Sequence, residues 1–357
     1  MSGTPEPPPA SAPPPAAGRR GAARSILVER PRTHRLVTGP LPEPGPGEAR
    51  VAVHAAGLCA SDREVYEGTR AEGYVRYPVV PGHEWSGTVD AVGPGVDGAL
   101  VGRKTVAEGF RACGTCARCR AGETSLCSTG YEETGFTRPG AFADYVVLPA
   151  RLLHPLDEAA DLTAAALLEP AAVVAAAVLR AAPRPGESVA VVGAGTLGLL
   201  AVQLLAASSP SGLLAVDPRE GPRARARAMG ATEALEPAAA KAHEGGFDLV
   251  VETAGAPGTA RDSCRLARRG GRVVLTGMPE PGAQGIDPVH LSVSQLTVAS
   301  VFGAPPAAWW YATRAFEQGL LRPGGLITHQ LPLESFSEAI ELVGSGDPEV
   351  GKVLLKP

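Results

Sequence analysis

Four cysteines lie within a fifteen-residue stretch that is rich in glycine and arginine. They are Cys113, Cys116, Cys119 and Cys127, separated by two, two and seven residues. Four thiolates at such spacing can close a tetrahedron around zinc and leave no coordination position open. The pattern therefore predicts a structural zinc site in a lobe at residues 109–130.

A second set of groups suited to metal binding and proton transfer is spread over three segments. It offers a thiol, a hydroxyl, an imidazole and three carboxylates, from Cys59, Ser61, Asp62, His83, Glu84 and Glu169. The proline after Glu169 favours the first turn of a helix, which puts this carboxylate at the helix N-terminal edge. Taken singly, each has another interpretation: Cys59 as a core thiol, His83 as a turn residue and Glu169 as a helix cap.

A glycine-rich turn matches the G-x-G-x-x-G pattern of dinucleotide-binding proteins. Its residues are Gly193, Ala194, Gly195, Thr196, Leu197 and Gly198. It follows an apolar strand and opens a helix, which is the context that the pattern requires. We expect Gly193 to allow the tight turn, Gly195 to let the backbone approach a pyrophosphate, and Gly198 to let the helix pack closely. The helix N-terminus at Thr196 and Leu197 attracts the phosphate charge.

The choice of nucleotide depends on two residues after the next strand. Asp217 follows Gly198 by 19 residues, and its carboxylate can hydrogen-bond the ribose hydroxyls and repel a 2′-phosphate. Arg219 favours NADP instead, because a guanidinium can pair with that phosphate. The sequence favours NAD, with NADP as the less favoured alternative.

The elements that must position these groups divide the chain into two domains. Short β-like runs broken by glycines precede residue 160, whereas apolar strands and helix-length segments alternate after it, which predicts a doubly wound parallel sheet. The last segment, 326–357, reads as strand, helix and strand and returns to the first domain. We therefore expect an α/β protein, with a β-rich domain at 25–175 and 303–357 and a nucleotide-binding domain at 176–302. Residues 1–24 hold seven prolines and few large apolar side chains, and we expect them to be disordered.

Composition excludes several classes of function. Lys and Arg number 33 and Asp and Glu 37, so the net charge of −4 gives no basic footprint for nucleic acid. The longest apolar stretch, 164–182, is interrupted by Glu169, Pro170 and Arg180, which argues against a membrane span. The start lacks the plan of a secretory signal, so we expect a cytoplasmic protein with a small-molecule partner. In a reducing compartment the clustered cysteines are better metal ligands than disulfides.

Taken together, the motifs resemble those of the zinc-dependent medium-chain dehydrogenases/reductases over residues 25–357. Within that superfamily the chain is most similar to polyol, sugar and cyclitol dehydrogenases. The run 77–87 resembles dehydrogenases that act on aminocyclitols such as 2-deoxy-scyllo-inosamine in antibiotic biosynthesis, and 62–64 resembles microbial glucose dehydrogenases. The matching residues are Cys59-x-Ser61-Asp62, Gly82-His83-Glu84, the four-cysteine lobe, Glu169-Pro170, the glycine-rich turn, Asp217 and the ending 351–355.

The resemblance implies a GroES-like catalytic domain interrupted by a Rossmann domain, with the active site between them. Cys59, His83 and Glu169 match the ligands of a catalytic zinc. Glu84 matches a residue that ligates directly, through water or not at all, and Asp62 matches the residue that orients the ligating histidine. Ser61 is placed to accept the released proton first, and Glu64, where many relatives have histidine, would end the relay unless solvent does. Two zinc ions per chain and a homo-oligomer, dimer or tetramer, are also implied.

The resulting expectation is the oxidation of a secondary alcohol of a polyol, sugar or (amino)cyclitol to a ketone, with hydride transfer to NAD. Glu169 favours these substrates over simple alcohols, since relatives that oxidise ethanol usually have a cysteine ligand in its place. An L-threonine-type amino-alcohol dehydrogenase is the alternative within the same chemistry. Two alternatives from other classes are a zinc-ribbon binding protein, which leaves Cys59 and His83 unexplained, and a catalytically inactive nucleotide sensor.

Overall fold

The computed structural model describes residues 21–279 and 283–357. Within them lie fifteen strands: β1 (Ala22–Arg30), β2 (Thr33–Pro40), β3 (Glu48–Gly57), β4 (Glu84–Val92), β5 (Lys104–Ala107), β6 (Tyr145–Pro149), β7 (Leu153–Pro155), β8 (Ser188–Val192), β9 (Gly212–Val216), β10 (Glu233–Leu235), β11 (Phe247–Glu252), β12 (Ala267–Leu275), β13 (Thr297–Ser300), β14 (Ile327–Pro332) and β15 (Lys352–Lys356).

The same residues contain eleven α-helices: α1 (Ala60–Glu67), α2 (Ala117–Arg120), α3 (Leu162–Ala165), α4 (Leu168–Ala181), α5 (Thr196–Ala206), α6 (Glu220–Ala228), α7 (Pro237–Ala240), α8 (Thr259–Leu266), α9 (Pro288–Ser294), α10 (Pro306–Glu317) and α11 (Phe336–Gly344). None of these described helices is long and apolar enough to cross a membrane.

Six strands form the predicted parallel sheet. Their order is β10-β9-β8-β11-β12-β13, and every neighbouring pair is parallel. The central strand β8 is buried along most of its length because helices cover both faces of the sheet, which explains its uninterrupted apolar sequence. The strand order reverses between β8 and β11, and ligands bind at such a switch point, beyond the carboxyl ends of the strands. The doubly wound sheet is confirmed.

The remaining strands build the GroES-like domain. A mixed sheet runs in the order β14-β15-β3-β4-β5-β7, with β6 also paired to β3 and β1 and β2 forming a separate hairpin. The last strand, β15, pairs antiparallel with β3 and parallel with β14. The chain end thus pairs with the first domain, and β15 lies beside the strand that leads to Cys59.

Helix α4 connects the cores of the two domains. Ten of its residues are buried, mostly alanine and valine. They belong to a core that includes Ala55 and Val106 of the first domain and Val189 and Leu200 of the second. Small side chains let neighbouring elements approach closely, so the N-terminal turn of α4 lies where the domains meet. That turn carries Glu169, as the Glu-Pro pair predicts.

The expected boundary of the disordered N-terminal segment is wrong for residues 22–24. Strand β1 already begins at Ala22, paired with β2. Arg24 secures this end, since its backbone N–H donates to Asp144 Oδ2 at 2.7 Å and its guanidinium pairs with the same carboxylate at 2.8 Å. The two alanines at its start add little to the hydrophobic pattern, so the sequence does not indicate that the strand begins there. Residues 1–20, for which disorder is also expected, lie outside the described part.

Candidate active site and metal centres

Cys59 is positioned by the end of β3 and the start of α1. It is the N-cap of α1, with extended backbone angles, and its N–H donates to Asp62 Oδ2 at 2.9 Å. His83 immediately precedes β4, which pairs with β3 and places Glu84 opposite Gly57. Two neighbouring antiparallel strands thus carry the thiol and the imidazole to the same edge of the sheet.

The thiol of Cys59, the imidazole of His83 and the carboxylate of Glu84 offer ligand atoms that all lie within 4.8 Å of one another. His83 and Glu84 are buried and Cys59 is partly buried. A thiolate, an imidazole and a carboxylate are the donors that zinc prefers, at about 2.0–2.3 Å from the ion. These three donors can therefore bind a zinc ion once their ligand atoms move slightly closer together.

Asp62 supports this cluster from behind. Its side chain is fully buried, accepts the Gly82 N–H at 3.2 Å, and lies 3.4 Å from Nδ1 of His83. Burial by itself lowers the pKa of His83, but the charge of Asp62 outweighs it and the pKa stands well above its ordinary value. The carboxylate thus lies next to Nδ1 of the ring, which is the placement expected of a residue that orients a ligating histidine.

Glu169 lies outside the three-residue cluster but within its electrostatic reach. Removal from water raises the pKa of Glu169 to about 8; the charge of His83 opposes this rise and that of Glu84 adds to it. It lies in the first turn of α4, where the cores of the two domains meet. A divalent cation between these groups would relieve the repulsion of the two carboxylates.

The role of Lys352 is not evident from the sequence. This side chain is almost completely buried, its ammonium contacts the carboxylate of Glu84, and it donates to the carbonyl of Leu58 at 2.9 Å. Burial lowers the pKa of Lys352, but the charges of Glu84 and Cys59 raise it above its ordinary value. The one available signal was a lysine at the start of a buried apolar strand, a place that charged residues rarely occupy.

A second missed group lies beside His83. Arg70 is mostly buried, its guanidinium stacks on the ring of Phe136 at 3.8 Å, and that ring is 4.7 Å from the ring of His83. Arg70 also contacts Tyr131 Oη at 3.1 Å and Glu133 Oε2 at 3.9 Å. These residues are far apart in sequence and show no motif, so nothing in the sequence indicated the group.

The proposed proton-relay residues both lie on α1. Ser61 is partly buried in its first turn, two residues after Cys59. Glu64 is one turn further and its Oε2 lies 3.3 Å from Nη1 of Arg70. The guanidinium thus holds the side chain of Glu64. Many relatives have histidine at this position.

The four lobe cysteines form a second cluster, in which all four sulfur atoms lie within 4.8 Å of one another. The sulfurs of Cys113 and Cys119 are 3.9 Å apart, close to the roughly 3.8 Å that a tetrahedron with Zn–S of about 2.3 Å requires. Backbone N–H groups of Cys116 and Cys119 point at sulfur atoms at 3.4 and 3.5 Å. Hydrogen bonds from Thr115 and Cys116 lower the pKa of Cys113 to about 5. The lobe therefore presents ligands suited to a closed zinc site.

The glycine-rich turn joins β8 to α5, as its pattern predicts. Gly193 has a φ of +96°, and a Cβ there would lie 2.9 Å from Ala254. A Cβ at Gly198 would lie 1.8 Å from the carbonyl oxygen of Gly193, so the helix packs directly against the turn. Gly195, in contrast, faces open space. This open space is part of a cleft that is lined by Gly195, Thr196, Arg219, Leu326, Gly351 and Lys352.

Asp217 directly follows β9, and its carboxylate is directed at this turn. It is buried, Oδ2 accepts the Ala194 N–H at 2.9 Å, and Oδ1 accepts the N–H and Nε–H of Arg219 at 2.9 and 3.0 Å. Burial raises the pKa of Asp217, but the hydrogen bonds from Arg219 and Ala194 outweigh it and lower the pKa below its ordinary value. Arg219 is thus held by the carboxylate.

Comparisons with known proteins agree with this architecture. Residues 45–158 match the alcohol dehydrogenase GroES-like domain family, and residues 196–318 match the zinc-binding dehydrogenase family. The chain is 32% identical to L-threonine 3-dehydrogenase of Bacillus subtilis over 333 residues, which is 90% of this chain and 94% of the relative.

Solved structures of dehydrogenases also superpose on nearly the whole chain. A zinc-binding dehydrogenase of Sinorhizobium meliloti bound to NADP superposes with a TM-score of 0.88 at 28% identity, over 95% of this chain and 100% of the other. An Escherichia coli alcohol dehydrogenase complexed with NADH gives a TM-score of 0.87 at 28% identity, over 94% and 100%. The chain belongs to the zinc-binding medium-chain dehydrogenase family and is an enzyme of its alcohol dehydrogenase type.

Proposed function

We propose that this enzyme oxidises a secondary alcohol of a polyol, sugar or (amino)cyclitol to a ketone and transfers the hydride to NAD. The observation that carries the proposal is the grouping of Cys59, His83 and Glu84, with Glu169 within electrostatic reach. Lys352, which pairs with Glu84, also lines the cleft at the glycine-rich turn. A carboxylate-rich ligand set differs from the second cysteine usual in relatives that oxidise ethanol. This difference supports a polyhydroxylated substrate.

Two zinc ions per chain are part of the proposal, one in the cysteine lobe and one at Cys59, His83 and Glu169, with Glu84 as a further ligand. Zinc bound at the second site polarises the reacting C–O bond and makes the hydroxyl more acidic. Residues of the protein place the ligands and balance their charge. Asp62 holds the His83 ring in place, and Lys352 compensates the charge of Glu84.

For the released proton, we assign Ser61 as first acceptor because it follows Cys59 by two residues on α1. Glu64 is the outer acceptor, in competition with solvent, and Arg70 fixes its carboxylate at 3.3 Å. NAD is favoured over NADP because the negative charge of Asp217 lies at the end of β9, beside the turn that would hold the nucleotide.

The identity to L-threonine 3-dehydrogenase supports a second candidate, the oxidation of an amino alcohol of the threonine type. The two candidates share the reaction and differ in the substrate. L-Threonine carries a carboxylate next to its amine, whereas polyols and cyclitols do not.

The test is a substrate screen with the zinc-loaded enzyme. Cyclitols, aminocyclitols, hexoses, hexitols and L-threonine are each incubated with NAD or NADP, and formation of the reduced nicotinamide is followed by absorbance. We expect the highest kcat/KM with a member of the polyhydroxylated group and NAD, and its loss when zinc is removed by a chelator. Turnover of L-threonine alone would establish the second candidate, and zinc-independent turnover would contradict the proposal.

A further inference from the structure

The amine of Lys356, on the last strand, contacts an imidazole and a hydroxyl instead of a carboxylate. Its Nζ lies 2.9 Å from Nε2 of His54 and donates to Oγ1 of Thr163 at 3.2 Å. The His54 ring lies 3.1 Å from the same hydroxyl, so the three groups are in mutual contact. Among the residues that the structure describes, Lys352 pairs with a carboxylate, whereas no carboxylate oxygen lies within 4.0 Å of the Lys356 amine.

The fold brings three distant segments together at this point. Strand β15 pairs antiparallel with β3, with Leu355 opposite Ala56, so the next residue of β15 lies level with the β3 residues that precede Ala56. Thr163 belongs to α3, whose N-cap Asp161 accepts the Thr163 N–H through Oδ1 at 2.8 Å. Strand pairing and the capped helix therefore position the amine, the imidazole and the hydroxyl.

The surroundings favour the uncharged forms of both basic groups. Burial lowers the pKa of Lys356, and the charge of Asp161 offsets only part of this effect. Burial also lowers the pKa of His54; the charges of Lys356 and Lys104 act in the same direction, and that of Asp161 opposes them. The His54 imidazole is therefore neutral near pH 7, with an unprotonated nitrogen that can accept a hydrogen bond.

These contacts leave the reactive electron pair of the amine free. An uncharged lysine has two N–H bonds and one lone pair, and His54 Nε2 and Thr163 Oγ1 can accept the two N–H bonds. The lone pair then remains available for a reaction. His54 is exposed and Lys356 is only partly buried, so a small molecule can reach Nζ from the solvent. An amine beside an unprotonated imidazole is an arrangement of nucleophile and base.

We propose that Lys356 is a site of acylation by acyl phosphates, with His54 as the base. The lone pair of Nζ attacks the acyl carbon, a C–N bond forms, and the bond from that carbon to the phosphate oxygen breaks. Inorganic phosphate leaves, and the proton lost by Nζ passes to Nε2 of His54 and then to solvent. The partial burial of Lys356 favours a small acyl donor of this class. The step does not depend on the proposed alcohol oxidation.

The chain contains four lysines, which allows an internal comparison. Lys352 is buried and paired with Glu84. Lys104 donates to the carbonyl of Ala160 at 2.7 Å, a contact that favours its charged form. Lys241 is exposed and makes no hydrogen bond through its ammonium within the described part of the chain. Lys241 is therefore the accessible reference and Lys352 the inaccessible one.

The test treats the full-length protein with acetyl phosphate at neutral pH and follows each lysine over time by peptide mass spectrometry. We expect Lys356 to be acetylated at least roughly tenfold faster than Lys241, a modest part of the roughly 100- to 10,000-fold that a positioned base contributes. Lys352 should remain unmodified while the chain is folded. Equal rate constants at Lys356 and Lys241 would overturn the inference.

Variants assign the reactivity to His54. His54→Gln keeps an oxygen that accepts the Lys356 N–H but is not a base, and should bring the rate at Lys356 to within about twofold of that at Lys241. Thr163→Val removes one acceptor and should give a smaller loss. His329→Gln is the matched control, because His329 lies on the neighbouring strand β14 and its ring contacts a residue of that same strand. An unchanged rate in His54→Gln, or an equal loss in His329→Gln, would likewise overturn the inference.

Discussion

Lys352 and Glu84 form an ion pair across a strand that lies between them. Glu84 begins β4 and Lys352 begins β15, and both strands are neighbours of β3. The β3 residue between them is Gly57, where a Cβ would lie 2.6 Å from Glu84 Oε2 and 3.5 Å from Cε of Lys352. Because Gly57 has no side chain, the two charged groups can meet at this point, two residues before Cys59 in the chain.

Removing the charge of Lys352 should destabilise the protein strongly. Lys352→Met leaves the buried carboxylate of Glu84 uncompensated, and breaking one partner of a buried pair costs about 3–5 kcal/mol. We expect this loss in the unfolding free energy of the zinc-free protein, measured by urea denaturation, and a smaller loss in the zinc-loaded protein. Lys356→Met is the control, because Lys356 is on the same strand and only partly buried. Equal effects of the two variants would contradict the assignment.

The two metal clusters should lose their ions independently. Wild-type protein is expected to contain about two zinc ions per chain by elemental analysis. Cys59→Ala and Cys113→Ala should each contain about one, with loss of NADH formation in the first. Cys264→Ala should contain two, because Cys264 is buried in α8 and belongs to neither cluster. Loss of both ions in Cys59→Ala would show that the sites are not separate.

The zinc-free protein should lose stability as the pH rises. The pKa of Glu169 is raised to about 8, so the unfolded chain releases this proton near pH 4.5 while the folded chain keeps it. The unfolding free energy then falls with pH between about 4.5 and 8, by up to about 1.4 kcal/mol per pH unit for one proton. His83, whose pKa is also raised, adds a fall in the same direction above about pH 6.5.

Glu169→Gln should remove the Glu169 contribution between pH 5 and 6, as measured by denaturant unfolding at closely spaced pH values. Glu158→Gln, at an exposed position, is the control. Zinc binding should flatten the wild-type profile, because the ion favours the ionised carboxylate. A zinc-free stability that rises through this pH range would contradict the prediction.

Asp217 should determine the preference between nucleotides. Asp217→Asn keeps an oxygen for the Ala194 N–H but removes the charge that opposes a 2′-phosphate and releases the Arg219 guanidinium. We expect the ratio of kcat/KM for NADP to that for NAD to rise by about tenfold, equivalent to about 1.4 kcal/mol. Arg219→Ala should move the ratio in the opposite direction. An unchanged ratio in both variants would show that other residues choose the nucleotide.

Some features of this protein follow from its sequence because they are local. The four lobe cysteines lie within one loop, so their spacing suffices to indicate a closed cluster. Gly193 and Gly198 belong to a single turn, and Glu169 belongs to the first turn of a single helix. The alternation of strands and helices likewise predicts the parallel sheet, since each strand and each helix shows its own hydrophobic pattern.

Other features depend on which strands become neighbours, and local pattern carries no information about that. Lys352 meets Glu84 only because β15 and β4 flank β3 at Gly57. Glu133 and Arg70 lie far apart in the sequence and meet only in the folded chain, and no motif marks either residue. The sequence by itself indicated the family, the candidate metal ligands and the nucleotide turn. The tertiary structure decided how charge is distributed around them, because the balance between buried charges depends on distances that only the folded chain defines.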